Sequence, residues 1–145
     1  MLDQLEWRDI ERLVGVFISG LGYRCIVTPP ANDGGRDIVV WEITNNDVAW
    51  YNIEIKHWRN RSADSKSVVY FLETALREGR RGAFLISTGG VGPAALKARS
   101  VVHDDFVRLA GAAKIVTTCR HFVSRQSGLW LEEIPLCRVL FEDTL

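Results

Sequence analysis

At 145 residues, 47% of them apolar, the chain has the length and hydrophobic content of one domain that buries its own core. The odd set Cys25, Cys119 and Cys137 lacks metal-ligand spacing; Cys119-x-His121 has no second Cys/His pair nearby, so reduced thiols in a cytoplasmic protein are expected rather than disulfides or zinc. No apolar run approaches the ~20 residues of a membrane span, and the opening Met-Leu-Asp-Gln-Leu-Glu lacks the basic start of a signal peptide, so no membrane partner is expected.

The formal net charge is zero, but its distribution is uneven: residues 1–55 carry four arginines and nine acids, residues 56–100 nine basic residues and three acids, and the remainder five and six. Acids ahead of a basic middle suit a cation site with a rim for phosphates, and equally suit three solvated surfaces of differing composition.

The first predicted element is an amphipathic helix from about Asp3 to Ser19, with Trp7, Ile10, Val14, Phe17 and Leu21 in one stripe and glycines 20 and 22 at its end. Glu11 lies at the margin of that stripe. Tyr23 to Thr28 alternates as a strand does, Pro29-Pro30 stops it, and Asn32-Asp33-Gly34-Gly35 is turn chemistry. Arg36 to Ile43 reads as a strand apolar on both faces. After a turn at Asn45-Asn46-Asp47, Val48 to Lys56 is a third strand, with Ile53 and Ile55 on one face and Asn52, Glu54 and Lys56 on the other.

A second helix is predicted from about Asp64 to Arg80, burying Val68, Val69, Leu72 and Leu76. Ala83 to Ser87 reads as a short central strand, and Pro93 opens a third helix running to about His103. A further strand is predicted over Lys114 to Thr118, then a short helix through Val123; Trp130 to Leu145 carries no clear signal. This order predicts an α/β sandwich: a three-strand meander, then a crossover helix to a parallel fourth strand. One domain over 1–145 is expected, its core at about 5–120 and a C-terminal extension at 121–145.

The chemistry concentrates between Asp37 and Lys56. If strands two and three pair across the Asn45 turn, Asp37 and Glu54 converge at one end of the sheet. Two carboxylates with open water positions suit Mg2+ (Mn2+ substituting), the backbone carbonyl of Ile55 offering a third oxygen. Lys56, on the face of Glu54, can orient or deprotonate an attacking water and offset phosphate charge. Glu-x-Lys is also a common ion pair on a strand, and Asp-Gly-Gly a common turn. Past the strand, His57, Arg59 and Arg61 offer phosphate contacts around Trp58, which fits a base-stacking role or a place in the core. Ser87 and Thr88, at the end of the next strand, offer hydroxyl donors to a phosphate or simply end the strand.

The run Glu11-Arg-Leu-Val, Leu21-Gly-Tyr, Asp33-Gly-Gly-Arg-Asp37-Ile and Ile53-Glu-Ile-Lys56 resembles the PD-(D/E)xK nuclease superfamily, most of all its Mrr-like restriction endonuclease branch. Phe84-Leu-Ile-Ser-Thr-Gly-Gly and the alanines at 94 and 95 extend the likeness, which covers roughly residues 5 to 120. Arg36 stands where the superfamily motif has proline, and Glu54 where many Mrr-like members carry glutamine. The resemblance implies a restriction-endonuclease-like αβββαβ core with a central mixed sheet flanked by helices, acting as a magnesium-dependent DNA endonuclease in restriction or defence. By matching positions, Asp37 and Glu54 are the implied metal ligands, Lys56 the catalytic lysine, and Glu11 the helix carboxylate that completes the site. RNA and branched DNA stay open as substrates, and a non-catalytic nucleic-acid-binding or interaction module is the rival reading. Nothing in the sequence reads as a DNA-recognition domain, so a homodimer or a separate specificity domain or subunit is the implied partner.

Overall fold

The structure is a computed structural model and describes residues 2–29, 35–45, 47–58, 60–99, 103–128 and 135–145. The turn at 32–34, Asn46, Arg59 and the segment 129–134, all part of the sequence reading, lie outside the described residues.

After a short 3-10 turn at Leu2–Gln4, helix α1 runs over Trp7–Gly20. Its inward face is Ile10, Val14, Phe17 and Ile18, and Gly22 at φ 94° ends it in the left-handed conformation that glycine adopts without strain. Trp7 was expected in the buried stripe; it is the first helical residue, before the face formed by Ile10, Val14, Phe17 and Ile18, and is 48% exposed. Glu11 departs in the opposite sense, being 1% exposed rather than marginal.

Strands β1 (Arg24–Val27), β2 (Ile38–Thr44) and β3 (Asp47–Lys56) form the expected antiparallel meander. Thr44 pairs with Asp47, and Asn45, next to Thr44, has φ 46°. Helix α2 (Ser65–Arg77) then crosses to β4 (Gly82–Ser87), which lies parallel to β3 and is buried along its whole length. Asp64 caps α2, its carboxylate accepting from the Ser67 amide at 2.8 Å. The helix buries Val68, Phe71, Leu72 and Ala75, spaced at 3, 1 and 3; the predicted Val69 and Leu76 lie off that face, 39% and 49% exposed.

Helix α3 (Pro93–Ala98) is shorter than predicted and leads to β5 (Val107–Ala110), parallel to β4. The sheet order is therefore β1-β2-β3-β4-β5. The strand predicted over Lys114 to Thr118 is instead the first part of helix α4 (Ala113–Gln126). Its β-branched run favours extended structure locally, but Ile115, Thr118, Cys119 and Phe122 also fall at helical spacing. That face packs on α1, with the rings of Phe17 and Phe122 5.3 Å apart. Tertiary burial outweighs the local preference.

Helix α5 (Leu136–Phe141), not foreseen, adds Leu136 and Leu140 to the core on the α1 side. The described end of the chain is thus part of the packed layer: Leu109 and Leu145 exchange both backbone hydrogen bonds, at 3.1 and 2.7 Å, along the outer edge of β5. One core fills the space between the sheet and α1, α4 and α5; a second lies between the sheet and α2 and α3. The mixed central sheet flanked by helices is the architecture the sequence implied. No helix among the described residues is long and apolar enough to cross a membrane.

Candidate active site

The geometry of the site follows from the β2–β3 register. Ile38 pairs with Ile53, both facing the α1 core, so one step further along the ladder Asp37 stands opposite Glu54 on the other face. Asp37 continues that ladder, its amide donating to the Ile53 carbonyl at 2.9 Å. The Ile55 amide donates to Asp37 Oδ2 at 2.6 Å. Asp37 and Glu54 are 6% and 7% exposed, and Lys56 Nζ forms an ion pair with Glu54 Oε1. Two acids and a lysine from two adjacent strands therefore meet at one end of the sheet.

Their electrostatics are strained. Burial pushes the Asp37 carboxyl up from its ordinary 3.8 to about 7, Glu54 adds to the rise, the Ile55 amide opposes it, Glu11 raises it further and Lys56 lowers it. The entry of Glu11 among these influences brings the α1 carboxylate into the same field. Arg8 makes the mechanical connection: its guanidinium forms an ion pair with Glu11 and donates to the Thr28 carbonyl at 3.2 Å. Thr28 in turn donates from its amide to the Asp37 carbonyl at 2.7 Å and from Oγ1 to the same oxygen at 3.0 Å. Arg8 and Thr28 were not singled out from the sequence. Arg8 sits one turn before Glu11, the spacing at which helical side chains pair, which is the signal that could have found it.

Among the described residues, no group of three or more His, Cys, Asp or Glu side chains is arranged to hold a metal ion. Asp37 and Glu54 are a two-carboxylate set, the number with which magnesium commonly binds while keeping water in its other positions.

The secondary candidates fare unequally. His57 Nδ1 lies 2.8 Å from Thr88 Oγ1 and its Nε2 3.1 Å from the Leu5 carbonyl. A carbonyl only accepts, so Nε2 carries the proton, and in the neutral ring Nδ1 accepts from the Thr88 hydroxyl. Both side chains are thereby engaged in joining the loop after β3 to the N-terminal turn and to β4. Arg61 is exposed, paired with Asp64 and lying 4.5 Å from the Trp58 ring centroid. Trp58 itself is half-buried rather than in the core. Ser87 is fully enclosed, and its Oγ has no hydrogen-bond partner among the described residues, so the structure sets it beneath the surface that a phosphate would contact. Gly89 lets the two loops close: a Cβ there would overlap the Arg61 carbonyl oxygen and stand 2.7 Å from that of Trp58.

A cleft of about 330 Å3 opens directly over Glu54 and Lys56, its far wall formed by Lys66 and Tyr70 on α2. The Tyr70 ring lies against Gly35, where a Cβ at φ 82° would overlap it. Neither residue was foreseen. Their i, i+4 spacing places them on one side of α2, but only the fold reveals that this side faces the acids.

The fold and the convergence of Asp37, Glu54 and Lys56 define a chain of the PD-(D/E)xK type. The family model described as "Restriction endonuclease", with the short name Mrr_cat, matches residues 2–119, and the chain belongs to that family. An uncharacterized protein, y4cE, of Sinorhizobium fredii (strain NBRC 101917 / NGR234) is 33% identical over 141 residues, covering 97% of this chain and 36% of the relative. Among solved structures, the MspJI restriction endonuclease in complex with a 27-mer oligonucleotide superposes with a TM-score of 0.51 at 16% identity, covering 86% of this chain and 30% of that one. That likeness is one of fold. The chain spans about a third of the length of both proteins.

Proposed function

We propose that the chain is a divalent-metal-dependent endonuclease domain that hydrolyses phosphodiester bonds of DNA, in a restriction or defence setting. The observation that carries this reading is the buried opposition of Asp37 and Glu54, with Lys56 paired to Glu54 and the Ile55 amide on Asp37. Membership of the restriction endonuclease family and the fold shared with a DNA-bound restriction enzyme support DNA as the substrate.

The residues fit a divalent cation. Two hard oxygen donors, buried together and repelling, hold a carboxyl near neutrality that a cation would return to its charged form. Asp37 and Glu54 are the proposed ligands of Mg2+ or Mn2+, with the Ile55 backbone carbonyl as a third. When bound, such an ion lowers the pKa of a coordinated water and neutralises charge on the phosphoryl group. The chain's own residues supply the rest. Lys56, anchored by Glu54, orients the attacking water and offsets the charge developing on the phosphate. Glu11, buried and paired with Arg8, adds a negative charge that would favour a bound cation. Lys66 and Arg61, on either side of Lys56, engage the flanking backbone phosphates, and selection of a target falls to a second copy or to a specificity domain or subunit.

Incubation of supercoiled plasmid with Mg2+, Mn2+ or EDTA tests the reading. Cleavage is expected with either metal, none in EDTA, and none with Asp37→Ala or Lys56→Ala. Metal-dependent cleavage that survives Asp37→Ala rules out the assigned site. DNA binding without cleavage under any metal favours a non-catalytic binding module on the same fold.

A further inference from the structure

A second cleft, of about 450 Å3, opens between the N-terminal turn and the loop that follows β3. Trp7, His57, Trp58 and Arg61 form its walls, with Leu5 and Glu6 behind them. Its volume is within the usual range for small planar ligands. Two indoles share this one opening, and Trp7 leaves 48% of its surface in solvent although the helix it begins has an apolar face to bury it.

Both rings are flanked by cations. The Arg8 guanidinium lies 5.1 Å from the Trp7 centroid, that of Arg61 4.5 Å from the Trp58 centroid, and Lys56 Nζ 5.9 Å from the Trp58 centroid. Among the described residues lining the cleft, Arg61 is the cation and Glu6 the acid, while Arg8 and Lys56 lie against its indoles from outside; Arg61, Arg8 and Lys56 pair with Asp64, Glu11 and Glu54. A cleft that presents two indoles, each with a guanidinium or ammonium against its ring, complements a nucleobase attached to a charged backbone. Bases within a duplex have both faces covered by their neighbours, whereas an unstacked base has a free face for an indole.

We infer that the Trp7–Trp58 cleft takes an unstacked base of the DNA whose phosphate is presented to Lys56. This inference rests on the nuclease reading and adds a substrate feature to it: the chain engages DNA at unpaired or extruded positions. Lys56 is the link, since it is paired to Glu54 on one side and lies by the Trp58 ring on the other.

Equilibrium binding in EDTA tests this separately from cleavage. A labelled duplex carrying one unpaired 2-aminopurine is compared with the fully paired duplex. The wild-type chain is expected to bind the first more tightly and to quench its 2-aminopurine fluorescence. Trp7→Leu and Trp58→Leu are expected to weaken that binding by about tenfold, leave the paired duplex unchanged, and abolish the quenching; Trp7→Phe and Trp58→Phe restore both. Thermal melting identifies any variant that fails to fold, and Trp7→Leu, at a half-exposed site, carries the test if Trp58→Leu does not. Leucine variants that bind and quench like wild type overturn the cleft assignment and leave the nuclease reading intact. A wild-type chain that binds the unpaired duplex no more tightly than the paired one, or binds neither, also overturns the cleft assignment, while the nuclease reading is decided by cleavage with Mg2+ or Mn2+.

Discussion

The amide of Ile55 donates to Asp37 Oδ2 at 2.6 Å, so the strand that carries Glu54 and Lys56 also fixes the carboxylate of its neighbour. The bond holds Asp37 in place against the repulsion of Glu54, which, with burial, raises its pKa to about 7. Asp37→Asn keeps an oxygen for the Ile55 amide and removes the charge. Its melting temperature in EDTA is therefore expected to rise by a few degrees, while metal-dependent cleavage falls at least ~100-fold. A fall in both would mean that Asp37 is chiefly a structural residue.

Arg8 is predicted to matter more for folding than its place on the first turn of α1 suggests. It forms an ion pair with Glu11, which is 1% exposed, and it reaches the Thr28 carbonyl that leads to Asp37. Arg8→Ala is expected to cost about 3 kcal/mol, the scale of breaking a buried pair, and Arg8→Ala/Glu11→Gln to recover much of it. Chemical denaturation of the two variants checks this.

Lys66 lines the cleft over Glu54 and Lys56 from the α2 side, and its side chain is exposed. As a phosphate contact, Lys66→Ala is expected to weaken DNA binding at every sequence and reduce the slope of log K against log salt by about one. The turnover of bound DNA stays near wild type. An unchanged salt slope would remove Lys66 from the binding surface.

Lys114 gives a dependence of stability on pH. The residue is 4% exposed and its ammonium donates to the Val139 and Glu142 carbonyls of α5 and its C-terminal end, while Glu142 and Asp143 carry charge nearby. Burial lowers its pKa from 10.5 to about 8, against the opposing pull of those two acids. Below about pH 8 the lysine is charged in both states and its burial is a cost. Between about 8 and 10.5 the folded chain has released the proton and the unfolded chain still holds it, so raising the pH favours the folded state. The contribution is up to roughly 3 kcal/mol. Denaturation of the wild type and of Lys114→Met across pH 7 to 10.5 should show the rise only in the wild type; parallel curves would contradict it.

The hairpin that carries the acids was legible in the sequence because three local signals agree there. The alternation of Val48 to Lys56, the turn residues at 45 to 47 and the apolar run Ile38 to Trp41 all fit one register. Where local and global preferences conflict, reading failed. Ile115-Val116-Thr117-Thr118 prefers extended structure, yet its helical face is what covers α1. Glu11 looked like a rim charge because spacing reports an angle around a helix and not the depth of the groove beneath it. Trp7 was assigned to the core by the same spacing, although it is the first residue of the helix and is half-exposed. The walls of both clefts, Lys66 with Tyr70 and Trp7 with Trp58, are joined only by the fold.

The central claim is that Asp37 and Glu54 together hold a catalytic divalent cation. Crystals of the wild-type chain soaked in Mn2+ test it most directly by anomalous scattering. The account predicts a peak liganded by both carboxylates, absent from Asp37→Asn crystals soaked in parallel. Manganese bound elsewhere with none at this pair, or bound here equally well in Asp37→Asn, would contradict it.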